Sequence, residues 1–278
     1  MVSRLAIAAG LLLLAGLTLF RLPLTEVTLA VLHRDGSSHG LFVPFISAFY
    51  IWDKREELMR IPFRFDYFGL PLLGAGVMPY FLKTGIFHVE FLGFIAFLAG
   101  AVILISGRSF FKAVYFPIIF LTAMSPIPPD IYNYLANSIR HLSFAGSRLM
   151  ISLLGISFYH EGWKIQLHNA DMLVALSCSG IRYLLSFMVF GTAYAFLFKT
   201  TFRSRLGTIL MTVPISIAAS IFRLTAIFVL TYLFGPKMAE PQPHILISWA
   251  VFLSMAFTIV WIDQRFCKRI GKKTANSQ

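Results

Sequence analysis

Cysteine is scarce in this chain. Two occur in 278 residues, Cys178 and Cys267, 89 positions apart, which makes neither a disulfide framework nor a zinc site. Charge is scarce too: 13% of residues are Asp, Glu, Lys or Arg, where a soluble domain carries about 25%. The acidic sign is the rarer, 12 residues against 24 basic, for a net charge of +12. That excess comes with no basic soluble module bearing aromatic platforms, so nucleic acid is not the expected partner. His33, His88, His141, His160 and His168 show no metal-ligand spacing such as His-Glu-x-x-His, and no metal or cofactor is expected. There is no Gly-x-Ser-x-Gly elbow and no phosphate loop. Asp66, Asp130, Asp171 and Asp263 fall outside or at the ends of the apolar runs, which argues against a paired-aspartate intramembrane protease.

What the chain has is apolar length. It is 58% hydrophobic with a mean hydropathy of +0.76, and several runs approach the ~20 residues that cross a bilayer. The expected fold is all-α, a polytopic transmembrane bundle forming one membrane domain over residues 1–278. Eight spans are predicted, near 5–24, 38–52, 65–82, 86–107, 109–126, 178–198, 206–234 and 244–262. The second, short and holding Gly40 and Pro44, is expected to be tilted or partly re-entrant. The third, with Pro71 and three glycines, is expected to be a broken helix. The first run resembles a signal peptide but no Ala-x-Ala site follows it, so it reads as a retained helix.

Lys and Arg set the orientation. With the N-terminus inside, 15 of the 24 basic residues fall in short inside segments, including the tail 264–278. Both termini are then cytoplasmic, and a bacterial inner membrane is the expected location. The segment 127–177 lies on the outer face, with three basic and three acidic residues. It opens on Pro126-Ile-Pro-Pro129, which stops a helix. Ile131, Leu135, Ile139, Leu142, Leu149 and Leu153 then recur at helical spacing and predict an amphipathic helix over 130–156, lying on the outer membrane surface or packed on the bundle. Alternation at Trp163, Ile165 and Leu167 predicts a short hairpin.

This orientation has a chemical consequence. Cys178 begins the sixth span at the outer face. Arg223, about 26 Å along the seventh span from Leu206 at 1.5 Å per residue, falls in the outer half. His244 begins the eighth span, again outside. Three consecutive spans thus bring a cysteine, an arginine and a histidine to one side of the membrane. Each has an ordinary reading: a free cysteine is often a small buried hydrophobe, Arg223 can pair with a carboxylate or lipid phosphate, and His244 can be an interfacial histidine. Together they form a coherent set for acyl transfer: thiolate nucleophile, oxyanion donor and general acid/base. Arg182, four residues after Cys178, would share a helix face with it and favour the thiolate. His39 either lines the same site or caps its helix. Cys267, in the basic tail, cannot reach the site.

The stretch Leu176-Ser-Cys-Ser-Gly-Ile-Arg-Tyr-Leu184 resembles the cysteine motif of the exosortase/archaeosortase family. Ser38-His-Gly-Leu-Phe-Val-Pro44 with Trp52-Asp-Lys-Arg55, Ser220-Ile-Phe-Arg-Leu-Thr225 and Pro243-His-Ile-Leu-Ile247 resemble its N-terminal, arginine and histidine segments. The resemblance implies a multipass protein-sorting cysteine transpeptidase. In it Cys178 is the nucleophile, Arg223 the oxyanion stabiliser and His244 the acid/base, with Arg182, His39 and Ser179 as possible support. The implied partner is an exported protein ending in a short motif such as Pro-Glu-Pro, a membrane helix and a basic tail. The acceptor is an amine or a lipid. The chain departs from the family pattern at Ser177, where Ala is common, at Ser220, where Asn is common, and at Tyr183, where a small residue is common. The competing expectation is a non-catalytic membrane component of polysaccharide export or assembly, with Arg223 and His244 holding an anionic lipid-linked intermediate.

Overall fold

A computed structural model describes residues 2–33, 37–82, 86–240, 242–243, 245–258 and 261. The chain forms two compact units, Met1–Pro128 and Pro129–Gln278.

The first unit is helical throughout: α1 (Val2–Leu19), α2 (Arg21–His33), a 3-10 turn at Ser38–Leu41, α3 (Phe42–Asp53), α4 (Arg55–Met59), α5 (Gly69–Phe81) and α6 (Phe87–Phe120). Its core is built on aromatic rings, with Phe20 against Phe94 and Phe97 at centroid separations of 5.5 and 5.7 Å. The expected break at Pro71 does not occur. Pro71 lies in the first turn of α5, where its missing N–H takes nothing from the helix. The glycines act instead at the α5–α6 contact. A Cβ on Gly76 would lie 2.5 Å from the Phe97 backbone nitrogen, so the two backbones meet directly, as small residues allow between membrane helices.

The second unit begins with α7 (Pro129–Leu153). An antiparallel three-stranded sheet comes next, β1 (Tyr159–Glu161), β2 (Lys164–Leu167) and β3 (Ala170–Leu173), in the order β1-β2-β3. Register pairs include His160 with Ile165 and Ile165 with Met172. The alternation at Ile165 and Leu167 faces inward as expected. Both residues are buried with Phe144 and Ile151 of α7 and with Leu224 and Phe228 further on. The predicted hairpin thus gains a third strand. A 3-10 turn at Leu176–Cys178 leads into α8 (Ile181–Phe198) and α9 (Phe202–Phe234), and α10 spans Ile245–Thr258.

The expected helix is present as α7, and most of the apolar residues in its pattern lie on the exposed side. Ala136, Ile139, Ser143, Phe144, Ser147 and Ile151 are buried, while Ile131, Leu142, Leu149 and Leu153 are exposed. Small residues let α7 approach its neighbours closely: a Cβ on Gly146 would meet the Ile221 side chain. The leucines are turned outward.

The expected count of eight spans is not reproduced among the described residues. By length and composition three of the described helices can cross a membrane: His88–Met124, Ile181–Phe198 and Phe202–Phe234. A fourth exists if Gly10–Leu19 and Arg21–His33, bent by 70°, form one broken span. The predicted spans 86–107 and 109–126 are two helical stretches of α6 that meet across a kink at Gly107 (φ 82°, ψ 166°), a conformation glycine adopts readily. The predicted spans 38–52 and 65–82 become α3 and α5, of 12 and 13 residues. At 1.5 Å per residue each covers about 20 Å, short of a hydrocarbon core of about 30 Å. The predicted basic tail 264–278, with Cys267, lies outside the described residues.

Candidate active site

Gly180 shapes the Cys178 turn. Its φ is 87°, in the left-handed region where a Cβ is penalised. A Cβ there would also lie 2.5 Å from the Ser220 Cβ and overlap its hydroxyl. Glycine therefore meets two demands at once: the chain reverses before α8, and it does so pressed against α9. Ser179 is fully buried. Its hydroxyl accepts from the Ile181 N–H at 3.3 Å, and its carbonyl accepts from the Ser143 hydroxyl of α7 at 3.4 Å. Ser179 thus ties the start of α8 to its own turn and to α7. Cys178 is half-buried and packs against the cluster that holds Ile165, Leu167 and Phe228.

Arg223 reaches this turn from α9. It is 5% exposed, and its Nη2 donates to the Cys178 backbone carbonyl at 2.6 Å. Its guanidinium carbon lies 5.1 Å from the centre of the Tyr183 ring, a cation–π contact. Its Nε is buried with no hydrogen-bond partner. Among the described residues no carboxylate pairs with it; the ion pairs are Lys54–Glu57, Arg108–Asp66 and Lys164–Asp171. The carboxylate-paired reading of Arg223 therefore has no counterpart among these residues. Tyr183 ties in α10 as well. Its hydroxyl donates to the Ser248 carbonyl at 3.1 Å, and it packs with Phe187, Ala219, Val251 and Phe252. The large ring at this position is the platform on which Arg223 and α10 meet.

The other expected residues divide. Arg182 is exposed on the first turn of α8. The helical-face argument for it does not carry over, because Gly180 breaks the path between Cys178 and Arg182 and the two do not share a helix. His39 belongs to the first unit, on the 3-10 turn Ser38–Leu41. His244 lies outside the described residues.

One residue escaped sequence reasoning. Arg140 of α7 stacks over Trp163, its guanidinium carbon 3.7 Å from the ring centre, and its Nε is buried and unpaired. Burial pulls this guanidinium below the usual arginine range and the neighbouring Cys178 opposes that, so the two groups lie in electrostatic reach. Nothing in the linear pattern marks Arg140: it sits directly after Ile139, on a helix whose other charges are Asp130 and Arg148. Among the described residues no group of three His, Cys, Asp or Glu side chains is arranged to hold a metal ion.

The geometry defines a helical membrane protein whose one deeply buried arginine, among the described residues, is spent on the backbone of a cysteine turn. The family comes from comparison: residues 31–261 match the family model described as transmembrane exosortase (Exosortase_EpsH), and the chain belongs to that family. Comparisons with curated proteins and with solved structures gave no match.

Proposed function

We propose that this exosortase-family protein is a membrane-embedded cysteine protease/transpeptidase that cleaves the C-terminal sorting signal of exported proteins and passes them to an acceptor. The observation that carries the reading is the bond from the Arg223 guanidinium to the Cys178 carbonyl, 2.6 Å. A charged group inside an apolar helix defaults to a functional or paired role, and this one is aimed at the residue that bears the thiol.

In this reading the Cys178 thiolate attacks the carbonyl carbon of the scissile peptide. The oxyanion that forms takes hydrogen bonds from Arg223, whose Nε has no protein partner and is worth most in a water-poor site. Collapse breaks the C–N bond, and His244 gives its proton to the leaving amine. A thioester remains on Cys178. An acceptor amine, its proton taken by His244, attacks the thioester and frees the thiol; water in its place gives hydrolysis. The leaving fragment is the membrane helix with its basic tail.

The placement of the site rests on charge and does not depend on the number of spans. Lys199 after α8 and Arg203 and Arg205 in the first turn of α9 make this end basic, and such basic segments stay cytoplasmic. The start of α8, with Cys178, then faces the outer side of the inner membrane. With an even number of spans both chain termini lie inside. Co-expression with a protein from the same genome carrying such a C-terminal signal tests the reading. Wild type shortens the substrate on a gel and Cys178→Ala, at equal expression, does not. Shortening by both assigns the cleavage to another protease and overturns the reading.

A further inference from the structure

Two arginines flank the Cys178 turn, and each keeps a buried Nε–H without a partner. A buried unpaired donor is costly and calls for an explanation. The proposed reaction uses the one on Arg223. It leaves Arg140 unused.

Arg140 is fixed by its neighbours on α7. One residue before it, Ile139 packs with Leu176 and Ile181. Three residues after it, Ser143 donates to the Ser179 carbonyl. The turn of helix that carries Arg140 is thereby seated on residues 176–181. Its guanidinium is held over Trp163, whose ring also packs against His141 at 4.4 Å. A guanidinium that gives its face to an indole keeps its N–H edge for a planar anion, which it can bind through two parallel bonds. Among the described residues no carboxylate occupies that edge. Arg148, two turns further on, also has an unpaired Nε, but its guanidinium meets the His160 ring nitrogen. Arg140 has no such contact.

We propose that Arg140, held over Trp163, is a substrate-binding residue of this centre, taking a carboxylate that the substrate carries beside the bond Cys178 attacks. The proposal rests on Cys178 being the nucleophile of the proposed reaction, and what it adds is the residue that would take an acidic group close to the cleavage point.

The test compares two alkylating reagents of nearly equal size on the full chain in non-ionic detergent, in a Cys267→Ser background so that Cys178 alone reacts. Iodoacetate carries a carboxylate next to its reactive carbon; iodoacetamide is neutral. The ratio of their rates cancels any change in the thiol itself. Arg140→Gln is expected to lower that ratio about tenfold, the worth of one charge-assisted hydrogen bond, and Arg140→Lys is expected to restore part of it. Acetate is expected to protect wild-type Cys178 from iodoacetamide in a saturable way, a readout that needs no variant. An unchanged ratio in Arg140→Gln, or no protection by acetate, overturns the proposal. Neither rate requires substrate processing. A wild type that fails to shorten a signal-bearing protein sinks the transpeptidase reading while leaving the ratio to judge Arg140, and a wild type that processes it with an unmoved ratio sinks Arg140 alone.

Discussion

Gly180→Ala offers the sharpest test of how the site is built. The substitution has two costs that can be separated. Holding alanine at φ 87° costs about 1–2 kcal/mol. The new Cβ also lies 2.5 Å from the Ser220 Cβ, and forcing an extra carbon into a packed contact costs about 1–3 kcal/mol. The sum is about 2–5 kcal/mol, placed where α8 leaves the cysteine turn and α9 carries Arg223. Stability in detergent, followed by the exposure of Cys178 to a thiol dye, should fall by that amount. Ser220→Gly removes the atoms in the way and on its own costs about 1 kcal/mol as a helix-interior glycine. The double variant should recover the packing part and leave the backbone part, so that the cycle shows a coupling of about 1–3 kcal/mol. Gly180→Ala within about 1 kcal/mol of wild type, or a cycle without coupling, would refute the close approach of Gly180 to α9.

Three further outcomes are expected. Arg223→Lys keeps the charge but loses the planar fork; substrate shortening should drop by about tenfold or more, since a charge-assisted bond is worth about 1.5–3 kcal/mol, while membrane insertion measured by fractionation stays intact. Asn169→Ala removes both bonds from its side-chain amide to the Thr231 and Tyr232 carbonyls, each 3.0 Å, at the end of α9; a cost of about 1–3 kcal/mol should appear as faster hydrogen exchange in the β2–β3 turn. Asp171 is held below the usual carboxylate range by its bond to Lys164, with Gln166 adding to it. Its contribution to the sheet is therefore present above about pH 4 and lost as pH falls through its lowered value; protease nicking of residues 159–173 should rise between about pH 5 and about pH 2 in wild type, and Asp171→Asn should flatten that change.

The meeting of Arg223 with the Cys178 turn was easier to read from the sequence than the architecture. Arg223 announces itself because a charge is rare in an apolar run, and the meeting of Arg223 with Cys178 is dictated by which ends of two consecutive helices share a membrane face. Apolar runs at α3 and α5 read as spans although the helices hold only 12 and 13 residues, while the boundary read between the runs 86–107 and 109–126 falls at the Gly107 kink. The apolar pattern of α7 gave the helix but not its buried side: Ser143 and Ser147 are buried while Leu149 and Leu153 are not. Arg140 was invisible for a different reason. Its importance comes from Trp163, 23 positions along the chain and brought over it by the sheet, and no local spacing encodes that meeting. Tyr183, in sequence a departure from the family's small residue, proves to be the ring under Arg223 and the donor to Ser248.

The central claim is that Cys178 forms a covalent acyl intermediate, and mass spectrometry of the protein purified with its substrate tests it most directly. In wild type quenched rapidly with acid during turnover, the account predicts a hydroxylamine-sensitive adduct on Cys178 equal in mass to the substrate up to its cleavage point. Substrate that is shortened with Cys178 unmodified, and shortened equally by Cys178→Ala, would contradict it.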